Sequence, residues 1–189
     1  MRARTALRIA VALAALAGSA EPALAAGAPP GPTAPLSLNG ISFSYPTAWR
    51  RSPSSWRWHS TFTAVVTYLS TQPMQDPCTR TESSTTCASP LTVLKPAGVL
   101  VTWTRSGMPG WRLAKQPGRK TTLAGHPGRI LIARPGACSY LHAAETVTAQ
   151  IAVGAPGNSV QMQACLRGPS LAVNERRVLA MLQTLRVSG

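Results

Sequence analysis

Residues 146–166 read TVTAQIAVGAPGNSVQMQACL, and residues 170–185 read SLAVNERRVLAMLQTL. In the first stretch two runs alternate apolar with polar residues around Gly154-Ala155-Pro156-Gly157-Asn158. Successive side chains of a strand leave opposite faces, so a period of 2 marks a half-buried strand, and a Gly- and Pro-rich break between two such runs marks a hairpin. Thr146–Val153 and Ser159–Leu166 are therefore expected to pair. The second stretch changes period. Leu171, Val178, Leu182 and Leu185 fall on one helical face, with Asn174, Glu175, Arg176 and Arg177 mainly elsewhere. Ser170, placed after the breaker pair Gly168-Pro169, suits the N-cap, although no Glu stands at N3 to complete a capping box.

Working back toward the N-terminus, the remaining periodic segments are all of the strand type. Ile41, Phe43 and Tyr45 alternate with Ser42 and Ser44 and stop at Pro46. Thr61 to about Ser70 supplies Phe62, Val65, Val66, Tyr68 and Leu69, the β-branched and aromatic bulk that fits a sheet. Gly98–Thr104 (GVLVTWT) reads as another strand, and Lys120–Leu123 and Arg129–Ala133 as two more pieces joined by a turn at 124–128. A run of strands closed by one amphipathic helix predicts an α+β fold, an antiparallel sheet covered by the C-terminal helix.

The chain has 189 residues, 19 Lys and Arg against 5 Asp and Glu, and a net charge of +14. Its opening combines Arg2, Arg4 and Arg8 with an apolar run, Ile9–Ala17, and ends in Ala23-Leu24-Ala25. That run is shorter than the roughly 20 residues that cross a bilayer, and it has the plan of a signal peptide cleaved near Ala25. The expected division is a signal peptide at 1–25, a flexible Pro/Ala/Gly linker at 26–37 and one domain at 38–189, with export to the cell envelope or beyond and no transmembrane anchor.

Four cysteines, Cys78, Cys87, Cys138 and Cys165, lie beyond the leader. An even number in an exported chain argues for two disulfides. Of three pairings, Cys78–Cys87 is favoured because DPCTRTESSTTCASP reads as a surface loop that a bridge would pin, leaving Cys138 with Cys165. A zinc site is disfavoured, since the spacings lack close C-x₂₋₄-C pairs. The bridge falls in a Pro-rich stretch, about 72–96, read as an insertion outside the core.

Gly40-Ile41-Ser42-Phe43-Ser44-Tyr45-Pro46-Thr47-Ala48-Trp49 resembles the first strand of the PsbP-like superfamily, where an apolar strand ends in Tyr-Pro and a Trp follows. Leu123-Ala124-Gly125-His126-Pro127-Gly128-Arg129 is similar to its mid-domain strand, Gly-turn, strand unit, and Val178–Val187 to its closing helix and tail. That superfamily includes a small nuclear-transport factor and many secreted bacterial proteins. The resemblance implies a PsbP-like sandwich that binds proteins, and it brings no catalytic residues. The cysteine loop and the second cysteine pair depart from the pattern.

Chemistry is sparse. No G-x-S-x-G elbow occurs, His59, His126 and His142 are the only candidate bases, and the acids after the leader are Asp76, Glu82, Glu145 and Glu175. His142 and Glu145 have an H-x-x-E spacing, but it falls in a loop entering a strand with no second close ligand pair, so His142 reads as an ordinary surface residue, and no metal or other cofactor is expected. The strongest candidate is Trp and Arg interleaving: Arg50, Arg51, Trp56, Arg57 and Trp58, where guanidinium and indole could jointly grip a partner. The expected function is a secreted, non-catalytic binding domain whose partner is an envelope or extracellular protein. The alternatives are a cationic attachment protein for anionic wall polymers or lipids, and a small secreted hydrolase. The charge itself also fits codon bias, with 16 Arg against 3 Lys. Export and the lack of a nucleic-acid-binding motif argue against DNA or RNA as the partner.

Overall fold

The computed structural model describes residues 31–188. The expected signal peptide, 1–25, lies outside the described residues, as does the first part of the expected linker. In chain order the strands are β1 (Thr33–Leu38), β2 (Ile41–Pro46), β3 (Arg50–Arg51), β4 (Thr63–Ser70), β5 (Cys78–Arg80), β6 (Thr85–Cys87), β7 (Val99–Gly107), β8 (Arg119–Leu123), β9 (His126–Ala133), β10 (Glu145–Ala152) and β11 (Asn158–Leu166). Helix α1 (Leu171–Gln183) and a final short strand, β12 (Arg186–Val187), complete the described residues.

These strands form three antiparallel sheets. The largest has seven strands in the order β3-β4-β7-β11-β10-β9-β8, a smaller one has the order β1-β2-β12, and β5-β6 is a two-stranded ribbon. The α+β expectation is therefore corrected: the domain is mostly β, with one helix among the described residues, and it is not a balanced sandwich of sheet and helix. Short or irregular pairings caused the error. β1 forms from residues read as linker, Thr33–Leu38, which lie antiparallel to β2 with Leu36 opposite Phe43. β3, β5, β6 and β12 are two or three residues long, too short to show a period of their own.

The main core lies on one face of the large sheet. Val101 and Trp103 of β7, Val147, Ala149 and Ile151 of β10, and Val160, Met162 and Ala164 of β11 point into it. Ile41 and Phe43 of β2, Val178, Met181 and Leu182 of α1, and Leu185 just beyond the helix close it from the other side. The helix thus shares the covering role with the small sheet, and Phe43 stacks on Trp103 with ring centroids 4.8 Å apart. Ser170 stands at the N-cap as its sequence predicts, but its side chain makes no capping hydrogen bond.

A second, smaller core lies on the opposite face. Leu91 and Leu94 pack there with Leu100, Tyr68, Leu141 and the Cys138–Cys165 disulfide. Segment 72–96 is therefore not a pure insertion, since Leu94 is fully buried and its backbone N–H bonds to the Leu141 carbonyl. A register shift between Val65 and Thr67 sets Val65 and Tyr68 toward this second core while Val66 and Leu69 face the first. Both disulfides form as the sequence predicts, Cys78–Cys87 across β5-β6 and Cys138–Cys165 under the loop before β10. Two disulfides with no free cysteine among the described residues fit an oxidising, extracellular compartment. Among those residues no helix is long and apolar enough to cross a membrane.

Candidate functional site

The second core covers only part of its face, and the uncovered remainder forms a cleft of 420 Å³. The strand period builds its floor. In β7, β10 and β11 the residues that alternate with the main core are Thr102 and Thr104, Thr148 and Gln150, and Gln161 and Gln163. Register brings them into two rows: Thr104–Gln161–Gln150 and Thr102–Gln163–Thr148. Thr63 of β4 and Leu131 of β9 flank these rows. The lining contains no charged side chain.

One wall is the segment between β7 and β8, which Arg129 of β9 holds down. Its Nε donates to the Leu113 carbonyl at 2.9 Å, Nη1 to Gly118 at 2.9 Å and Nη2 to Ala114 at 3.1 Å. A planar guanidinium presents its N–H groups from three nitrogens in a fixed fork and so reaches three separated carbonyls at once, whereas the three N–H groups of an ammonium radiate from a single nitrogen. Gly118 makes this close approach possible: its φ is +105°, and a Cβ there would sit 2.6 Å from the Ile130 carbonyl oxygen. The turn thereby sets Pro117 over the cleft. The other wall carries Ala137, next to the buried Cys138.

Gln150 opposes Gln161, and its Oε1 is shielded from solvent without accepting a hydrogen bond. An unpaired buried amide oxygen costs about 1–3 kcal/mol, so this side chain is left short of a partner on the β10 side of the floor. On this face Arg129 and Lys120 stand one and two strands beyond Gln150.

The Trp- and Arg-rich segment is placed elsewhere. Arg50 and Arg51 form the edge strand β3 and are exposed, while Trp56, Arg57 and Trp58 are half-buried. Trp58 packs against the second core and its Nε1 donates to the Tyr68 hydroxyl at 3.1 Å. Burial raises the Tyr68 pKa, partly offset by that hydrogen bond. Trp49, from the same run, is in the main core. Trp58 therefore has a structural role, and Arg50, Arg51, Trp56 and Arg57 do not line the cleft.

Two of the four acids meet in space. Glu145, the first residue of β10, is fully buried and bonds Arg134, which also reaches Glu175 of α1 at 3.2 Å. Burial raises the Glu175 pKa, the Glu145 carboxylate raises it further, and Arg134 pulls it down. Glu175, expected on the exposed side of the helix, has only 22% of its side chain exposed. His142 is exposed in a left-handed conformation, φ +58°, and does not share a helical face with Glu145. Among the described residues no three His, Cys, Asp or Glu side chains cluster as metal ligands. His126 is the first residue of β9, half-buried, because the turn is Ala124-Gly125, where φ is +52° and +80°.

No family model, curated protein or solved structure matches this chain.

Proposed function

We propose that this chain is an exported, non-catalytic binding domain that holds an uncharged polar ligand on the walled face of its large sheet. One observation carries the reading: a concave floor of hydroxyl and carboxamide side chains, including an unpaired Gln150 oxygen, enclosed by a turn that Arg129 fixes in place. Binding sites are typically largely pre-formed concavities of roughly 300–1,000 Å³ with a few placed polar groups. The leader-like sequence of residues 1–25 and the two disulfides support export.

Attachment through surface charge is the competing reading, and ionic strength separates the two. Contacts to anionic polymers weaken steeply as salt screens them. Retention of the mature protein on an envelope extract should survive a rise from 50 to 500 mM salt, roughly a threefold shortening of the Debye length, and should be lost in Thr148→Lys. Retention that collapses with salt and ignores Thr148→Lys would establish the charge-based alternative.

A further inference from the structure

We infer that the ligand of this face is an uncharged saccharide chain. The inference rests on the binding role proposed above for the same cleft and names its ligand class. Every floor residue of the two rows can donate and accept. Thr102, Thr104 and Thr148 offer hydroxyls, and Gln150, Gln161 and Gln163 offer a carbonyl oxygen beside an amide N–H₂. A sugar has the same dual character, since each hydroxyl donates once and accepts, and neighbouring ring hydroxyls match the side-by-side donor and acceptor of a carboxamide. The threonine methyls and Leu131 give apolar contact for ring C–H groups.

The other ligand classes fit less well. An anion needs cations facing it, but three N–H groups of Arg129 are engaged by carbonyls and Lys120 is two strands beyond Gln150. An apolar ligand would bury the three threonine hydroxyls and the Gln150 and Gln163 carboxamides without partners, and would leave Gln161 only its Nε2 hydrogen bond to the Ser159 hydroxyl at 3.2 Å, at about 1–3 kcal/mol for each group left unsatisfied. An extended peptide joins a sheet at its edge, where its backbone groups lie in the plane of the ladder, whereas this site is a sheet face.

Size and shape favour a chain over a single ring. The floor spans β7, β11 and β10, about 10 Å across at ordinary strand spacing, and two rows deep, about 7 Å along the strands. Thr63 also lines an adjoining depression of 310 Å³, whose further lining includes Ser60, Ser106, Asn158 and Ser159 together with Arg105, whose Nη1 is engaged by the Asn39 carbonyl at 2.6 Å. The hydroxyl- and amide-bearing track thus continues beyond the floor. On the β10 side of the floor, the terminal torsion of Gln150, which is broad in glutamine, lets Oε1 turn toward the cleft and accept from a ligand hydroxyl. That bond would supply the partner the side chain now lacks.

The test is an NMR titration of the mature protein, following the side-chain N–H₂ signals of Gln150, Gln161 and Gln163. The probes are neutral oligomers of glucose, mannose and N-acetylglucosamine, with an oligomer of uronic acid as the charged control. At least one neutral series should shift these three signals in a saturable way, with affinity rising from monomer to trimer. Gln150→Leu, similar in size and with unchanged backbone amide signals, should weaken that binding at least tenfold. If no neutral oligomer shifts the signals but a sugar-free envelope fraction does, the saccharide assignment is overturned while the binding role stands. Should neither shift them, both fall.

Discussion

At the residue scale, the acids show how position resets chemistry. Glu175 and Glu145 share Arg134; the arginine is largely exposed while Glu145 is buried and Glu175 mostly so, and solvent therefore screens this cluster of three from the arginine side only. The sign of the pH effect follows from the direction of the shift. Glu175 has a pKa raised above its ordinary 4.5, so folding favours its protonated form. Its stabilising contribution is complete below 4.5 and is lost as pH rises through the higher folded value. Asp76 works in the opposite sense. The backbone N–H of Cys78 holds it below its ordinary 3.8, so its contribution is present above 3.8 and disappears as pH falls through the lower folded value. Glu175→Gln should therefore flatten the stability curve just above pH 4.5, leaving the acid limb below 3.8 unchanged. Urea unfolding at half-unit pH steps reads this directly, and an unaltered slope above 4.5 would contradict the assignment.

At the element scale, the cleft depends on a wall that no strand or α-helix supplies, only a single 3-10 turn at Leu113–Lys115 and the bend that follows it. The turn preceding β8 is held by the three carbonyl contacts of Arg129 and by the left-handed Gly118. Arg129→Lys keeps the charge and loses the fork, so it isolates the geometry. The amides of 113–118 should exchange with solvent at least tenfold faster in that variant, while the β10 and β11 amides keep their protection. Equal acceleration in both regions would mean that Arg129 supports the whole sheet instead of one wall. The long elements were legible in the sequence because each carries enough residues for its period to emerge: β2, β4, β7, β10, β11 and α1 lie within a few residues of where the alternation puts them. β1 was hidden by composition, since Pro and Ala in Thr33–Leu38 mimic a linker. Asn174 shows a related limit. It counts against the apolar helical face, yet it is buried because its Nδ2 donates to the Ala97 carbonyl at 3.1 Å, docking α1 on the turn before β7.

For the whole molecule, one face of the large sheet is spent on stability and the other is divided. The helix and the small sheet seal the main core, while the disulfide-linked second core covers part of the opposite face and leaves the Thr and Gln rows open. The alternation of those residues was visible in the sequence, but a polar strand face reads as solvent-exposed until its walls are known. The arginine- and tryptophan-rich run gave the louder signal, and part of it proved to be packing: Trp49 and Trp58 are tied to the two cores. On the function proposed here, recognition belongs to the sheet face and not to the arginine-rich edge. Calorimetric affinities for the ligand recovered from the envelope extract decide it, comparing Gln163→Lys with the double variant Arg50→Ser and Arg51→Ser. Gln163→Lys should weaken binding at least tenfold and the double variant less than twofold; the reverse order would contradict the account.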